Sequence, residues 1–307
     1  MQKDDAKCTK FVLKIDYLVC IMKTNTGGQE PAVWNSWKGR VIVLNLGVNT
    51  VLFKPFSMEE ALRAVKLAGY DGVELSAIAG MCEHLVLDDW ENSAPPIKAI
   101  AEELGLKLLS MEVASLDEER LRKAFAAARY LGVPVVNVGP GGKSDDPDDF
   151  EICVATLQAR AELAASYGVT LCCKAHVGGA IYSTPTTIEA ARRITSPGFG
   201  VDMDPSHIHR AGERPEEALA QVVQYMKHVH IRDCKGPGPG PGVPALQACG
   251  RGDINLFGYF RELVNAGYDG PVCLEVIGPN LTMQEAMAVA SESYGYMNCC
   301  LKQLGAR

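Results

Sequence analysis

The sequence predicts a (β/α)8 TIM barrel, and three observations predict it. From Val41 onward short β-rich runs alternate with amphipathic stretches of helical period, and eight such units can be counted. No G-x-G-x-x-G follows the first run, so a doubly wound dinucleotide fold lacks its main support. The length of 307 residues, 47% of them hydrophobic, suits one large closed barrel with a substantial core.

The strands fall, in order, at VIVLNLGVN (41–49), GVELSAI (72–78), LKLLSMEVA (106–114), VPVVNVGP (133–140), VTLCCKAHV (169–177), FGVDMDPS (199–206), KHVHIRD (227–233) and PVCLEVIG (271–278). Helices fill the intervals, and several have readable ends. Ser57 caps MEEALRAVKLAG, and Thr184 precedes PTTIEAARRI. Gly69, Gly105, Gly132, Gly168 and Gly267 stand where left-handed C-caps belong. Two segments lie outside the rhythm. Residues 1–39, with the polar TNTGGQEP, read as an N-terminal extension or a start placed too early, with Met22 as an alternative initiator; residues 40–307 are then the barrel domain. After the seventh strand, KGPGPGPGVPALQACGRGDIN is expected to be a long irregular loop at the C-terminal face, because repeated Gly-Pro builds neither helix nor interior strand.

Composition narrows the partners. A formal charge of −7, with dispersed Lys and Arg, offers no basic stripe for a phosphate backbone, so nucleic acid is not expected. The eleven cysteines form no CxxC pair and many sit in apolar runs, which reads as reduced, buried thiols and a cytoplasmic protein. Lys14 and Asp16 interrupt the apolar stretch from Phe11 to Met22, so neither a signal peptide nor a membrane span is expected.

Five of the six histidines (His176, His207, His209, His228 and His230) lie in or just past the last four strand runs, beside Asp202, Asp204, Asp233 and Glu275. Strand side chains alternate, so Lys174 with His176, Asp202 with Asp204, His228 with His230, and Cys273 with Glu275 should all face the barrel interior. The outer members, His176, Asp204, His230 and Glu275, would stand at the C-terminal mouth, where barrel enzymes keep their active sites. Two imidazoles and two carboxylates suit a divalent ion, manganese by preference, with zinc or iron as alternatives. The bland reading is a buried polar network whose members satisfy one another without metal. Buried Lys174 needs a partner, and Asp202 is the expected one.

GYDGVELS, VDMDPSH, HVHIRD, GRGDINLFGYF and GYDGPVCLEVIG resemble the sugar isomerase/epimerase branch of the xylose-isomerase-like TIM barrels, over essentially residues 43–303. The resemblance implies a metal held by Glu, Asp, His and Glu of the fifth to eighth strands, which fall here on Lys174, Asp204, His230 and Glu275. Lysine departs from that pattern, and His176, one inward step on, would replace it as ligand. KAHVG, IYSTPTT, DMDPSHIHRAGE and HVHIRDCKGPGPG are more similar to the large subunit of C-glycoside deglycosidases and related 3-keto-glycoside-cleaving enzymes. That resemblance implies a carbohydrate substrate, a possible small β-rich partner subunit and elimination of an aglycone.

Isomerisation and elimination share a first step, loss of a proton beside a carbonyl. Elimination needs one good base and one acid, with His176, Lys174 and Glu275 as the catalytic candidates; isomerisation needs two acid/base groups on either side of the substrate, and only Glu275 is evident. The expectation is therefore a metal-dependent lyase on 3-keto C- or O-glycosides, with ketose isomerase or epimerase as the alternative and a metal-free, non-catalytic barrel subunit as another. His207, Glu74, Arg232 and His84 are expected at the substrate, and His209 in solvent. A nuclease-type trinuclear site would need histidines on the early strands, which carry none. Homo-oligomerisation stays open.

Overall fold

The structure is a computed structural model, and it describes residues 43–307 apart from Pro239. The extension expected over residues 1–39 lies outside the described residues. The strands are β1 Leu46–Asn49, β2 Gly72–Ile78, β3 Cys82–Glu83, β4 Lys107–Glu112, β5 Val135–Val138, β6 Thr170–Lys174, β7 Phe199–Asp202, β8 Met226–Ile231 and β9 Val272–Leu274. Eight of them are parallel and run in the order β1-β9-β8-β7-β6-β5-β4-β2, and a β1–β2 pairing closes the ring. This is the predicted TIM barrel. β3 is an added strand, antiparallel to the end of β2.

The helices are α1 Met58–Ala68, α2 Trp90–Leu104, α3 Glu118–Leu131, α4 Pro147–Tyr167, α5 Thr184–Arg193, α6 Pro205–Arg210, α7 Pro215–Val222, α8 Pro244–Gln247, α9 Leu256–Asn265 and α10 Met283–Gln303. Ser57 and Glu60 form a reciprocal capping box on α1, and Gly69, Gly105, Gly132 and Gly168 end their helices with left-handed backbone. Two ends differ from the sequence reading. The N-cap of α5 is Ser183, with Thr184 as first helical residue, because the Ser183 hydroxyl accepts from the Thr186 amide. Gly267 has the expected left-handed backbone but falls one residue past the Ala266 cap of α9. The Gly-Pro loop also contains a turn of helix, α8, whose Pro244 is at the first position, where no intrahelical N–H is needed.

Apolar side chains on the outer strand faces, such as Val73, Leu75, Val136, Leu171 and Val229, bury against the helices. Inside, β1 enters the ring as Leu46-Gly47-Val48, with Gly47 level with Gly72 on one side and Cys273 on the other. A Cβ at Gly47 would stand 2.7 Å from Leu109 and 2.9 Å from Cys273, so the missing side chain lets that layer pack. The chain ends of the barrel meet at this seam. Leu44 donates its amide to the Ala306 carbonyl at 3.3 Å, and the Arg307 guanidinium holds Asp71, with Nη2 3.0 Å from Oδ1. Among the described residues every cysteine is free and no helix is long and apolar enough to cross a membrane.

Candidate active site and metal-ligand groups

Strand alternation builds the site in two layers. In the deeper layer, ladder register sets Asp202 of β7 beside Lys174 of β6 and beside His228 of β8. Asp202 is fully buried, and its Oδ1 lies 3.0 Å from His228 Nδ1 and accepts the His230 amide at 2.9 Å. Its Oδ2 lies 2.6 Å from His230 Nδ1, while His230 Nε2 meets Glu74 Oε2 at 2.5 Å. Burial works against a charge on His230, but Asp202 and Glu74 on its two sides outweigh it and hold the ring's pKa well above the usual histidine value. His228 completes the layer by bonding Ser110 Oγ at 2.9 Å. Asn49 and Asn137 donate to Glu74 at 2.9 and 2.6 Å.

The outer layer is an alternation of charges. Lys174 Nζ lies 2.8 Å from Glu275 Oε1 and 3.2 Å from Glu112 Oε1, all three side chains being nearly inaccessible. The expected Lys174–Asp202 pair is not made, because the two histidines already take both Asp202 oxygens. Arg232, fully buried, reaches across the mouth: Nη1 is 3.1 Å from Glu275 Oε2, Nη2 is 2.9 Å from Asp204 Oδ2, and Nε donates to Ser206 Oγ at 2.7 Å. Burial alone would raise the Glu275 pKa, yet Lys174 and Arg232 bring it well below the carboxylate range. Glu112 goes the other way. Burial, reinforced by the Glu275 charge and only partly offset by Lys174, pushes it up to about 8.

His207 faces Arg232 Nη2 at 2.9 Å through Nε2, and the Val177 amide approaches its Nδ1 at 3.2 Å. Burial and then the Arg232 charge depress its pKa well below normal, so the ring is neutral. His176 stacks on it with ring centroids 4.2 Å apart. Glu112, Lys174, His176, His207, Arg232 and Glu275 line a cavity of about 450 Å³, together with Ile78, Met81, Ile277 and the glycine-bearing loops 139–142 and 177–179.

Two groups of buried side chains offer ligand atoms within 4.8 Å of one another: Glu74, His228 and His230 in the deeper layer, and Glu112, His230 and Glu275 at the mouth. Of the four ligands expected from the sequence, the structure brings together His230 and Glu275. Asp204 does not join them, since it caps α6 through the Ser206 amide at 2.8 Å and holds Arg232. His176 is exposed on the rim, outside both groups. The reason is that β6 ends at Lys174, so past it no ladder enforces alternation, and the chain turns, with the His176 amide bonded to Ile181. Glu74 is in the deeper network rather than lining the cavity, and His84 bonds the Phe56 carbonyl at 2.9 Å instead of lining it. His209, expected in solvent, is half-buried. Asp233 gathers the amides of Cys234, Gly250 and Ile254, which pins the Gly-Pro loop at both ends.

Sequence reasoning missed Glu112. Its signal was present: Ser110 and Glu112 are two polar residues at period two inside the apolar run LKLLSMEVA, which aims both inward. The mouth group fits a divalent ion by donor chemistry, one imidazole and two carboxylates. Its carboxylates, however, already hold Lys174, and His230 is held charged between Asp202 Oδ2 at 2.6 Å and Glu74 Oε2 at 2.5 Å, so the ring must give up a proton and its Glu74 contact before it can ligate.

Three solved structures of the same fold are matched over nearly all of their own length. A structure titled IOLI protein with a binding zinc atom superposes with a TM-score of 0.70 at 20% identity, over 84% of this chain and 99% of that one. The probable 3-DHS dehydratase AsbF of Bacillus anthracis gives 0.68 at 15% identity, over 83% and 99%. D-allulose 3-epimerase of Methylomonas sp. gives 0.67 at 15% identity, over 85% and 99%. At these identities the likeness is one of fold. The family model described as xylose isomerase-like TIM barrel matches residues 62–295, well over half of the sequence. With the closed eight-stranded ring and its charged C-terminal mouth, this places the chain in the xylose isomerase-like TIM-barrel family.

Proposed function

We propose that this chain is a sugar-active enzyme that removes a proton beside the carbonyl of a keto sugar, as a sugar isomerase or epimerase does, with a divalent ion seated by Glu112, His230 and Glu275. The observation that carries the reading is the Glu112–Lys174–Glu275 arrangement at the barrel mouth, opening on a cavity of about 450 Å³. The zinc of the structural relative and the donor set favour zinc or manganese, with magnesium or iron also compatible. Such an ion, when bound, polarises substrate oxygens as a Lewis acid.

The chain's own groups divide the remaining work. Glu275, the more acidic carboxylate, takes the proton. Glu112, which burial and the Glu275 charge make the less acidic of the two in the ion-free site, is the second acid/base group that isomerisation requires. Lys174 donates to the oxygen on which charge builds. Arg232 fixes the Glu275 and Asp204 carboxylates, and His176, whose Nδ1 bonds the Val177 carbonyl, presents Nε2 to substrate hydroxyls while His207 packs behind it.

A second reading, elimination from a 3-keto C- or O-glycoside, has one observation in its favour. The Glu112 and Glu275 ligand atoms lie within 4.8 Å of each other, so they act from one face, which suits loss of the C2 proton and expulsion of the group at C1. The test is incubation of the ion-supplemented protein in deuterated water with free ketoses and with 3-keto-glycosides. Deuterium uptake with ketose rearrangement supports the main reading. Aglycone release transfers the assignment to the second, and neither exchange nor release refutes both.

A further inference from the structure

The seat for a divalent ion and the seat of Lys174 are the same place. Ligand oxygens of Glu112 and Glu275 are two corners of the mouth group, and the Lys174 ammonium bridges oxygens of those same two carboxylates at 3.2 and 2.8 Å. Metal–oxygen bonds of about 2.0–2.2 Å would put an ion within the space the ammonium fills. A lysine ammonium is a donor only, with no lone pair to offer as a ligand, so it fills the seat without completing it. Glu275 is further committed through Oε2 to Arg232 at 3.1 Å. Two cations at such separation in a buried site repel strongly. Room for one to leave exists, because Lys174 itself lines the cavity of about 450 Å³.

We propose that Lys174 is an internal cation that closes the Glu112–Glu275 seat, so that ammonium and divalent ion are mutually exclusive occupants and metal loading requires Lys174 to swing into the cavity. The inference rests on the proposed function in one respect, that Glu112, His230 and Glu275 are the ligands. It goes further in making position 174 the determinant of metal affinity. Without the lysine the seat loses the one cation that bridges Glu112 and Glu275, while Arg232 still holds Glu275 Oε2; with it, an incoming ion must first displace a built-in competitor.

The experiment compares full-length wild type, Lys174→Met and Lys174→Arg. Each is stripped with EDTA, then titrated separately with Mn2+ and Zn2+ by calorimetry, with bound metal counted by mass spectrometry. Lys174→Met is expected to bind about 5- to 150-fold more tightly than wild type, the range of ordinary coupling between competing ligands. Lys174→Arg, which keeps a cation there, shows no such gain. Because Lys174→Met leaves two carboxylates face to face, a second measurement uses wild type alone: labelling of lysine amines, read by peptide mass spectrometry, should accelerate at Lys174 when the site is saturated with Mn2+. Equal affinity of wild type and Lys174→Met, or unchanged Lys174 labelling with stoichiometric metal bound, overturns the exclusion and leaves the ligand assignment standing. Failure of all three proteins to bind either ion overturns both.

Discussion

Replacing Glu112 by glutamine should make the metal-free protein progressively more stable than wild type as pH rises. The Glu112 carboxyl is raised from 4.5 to about 8 in the folded chain, where it is 4% exposed. The folded state therefore holds this proton over a range in which the unfolded chain has released it. Folded protein binds more protons than unfolded between those values, so stability falls as pH climbs from 4.5 through 8. Linkage puts the penalty at about 2 kcal/mol at pH 6 and nearly 5 kcal/mol at pH 9. Glutamine is nearly isosteric with the protonated acid, and its carbonyl can still accept the Asn49 amide that now bonds Glu112 Oε2 at 2.6 Å. The difference in unfolding free energy between variant and wild type should thus grow by roughly 3 kcal/mol from pH 6 to pH 9. Urea unfolding of both proteins in EDTA at several pH values measures it, and groups that titrate alike in both cancel. A difference that stays flat, or shrinks toward alkaline pH, would refute the argument that burial beside Glu275 keeps Glu112 protonated.

Arg232→Ala should cost about 3–5 kcal/mol in urea unfolding, because it strands Asp204 and part of Glu275 as buried charges; Arg232→Lys should not restore it, lacking the fork that reaches both. Gly72→Ala places a Cβ 2.3 Å from the Lys107 carbonyl oxygen, which belongs to backbone and cannot rotate aside, so a loss of about 1–3 kcal/mol or more is expected in thermal or chemical melts. Ser57→Ala breaks the α1 capping box and should cost about 1 kcal/mol by the same measurement.

Period-two and period-3.6 patterning made the barrel legible in the sequence, since both depend on local geometry that every unit repeats. The same patterning placed Asp202, His228, His230, Lys174 and Glu275 on the inner face, where they lie. At His176 and Asp204, each two residues beyond the end of its ladder, it led to the mouth, where His176 lines the cavity and Asp204 holds Arg232, but not into the ligand groups, because a turn and a helix cap replace alternation as the local rule there. It also could not pair the inward charges. Asp202 is level with Lys174 in the ladder, but the pairing was decided by Glu112 of β4, the histidines of β8 and Glu275, one residue past β9. Glu112 was overlooked because it stands alone, without a histidine or a second acid to mark it. The two layers set opposite charges beside one another, and the same network contains the donor set for an ion.

The seam where Leu44 meets Ala306 and Arg307 grips Asp71 has a consequence for how the barrel can be rearranged. Chain order is not what holds the ring together there, since hydrogen bonds and an ion pair already join its first and last segments. A circular permutant that links position 307 to position 44 through a short spacer, and is opened in the exposed turn around Lys143, would keep every strand pair and both charged layers. The mouth would then sit on a molecule with its new ends on the loop between β5 and α4, close to the glycine-bearing wall of the cavity, where a reporter or tether could be attached.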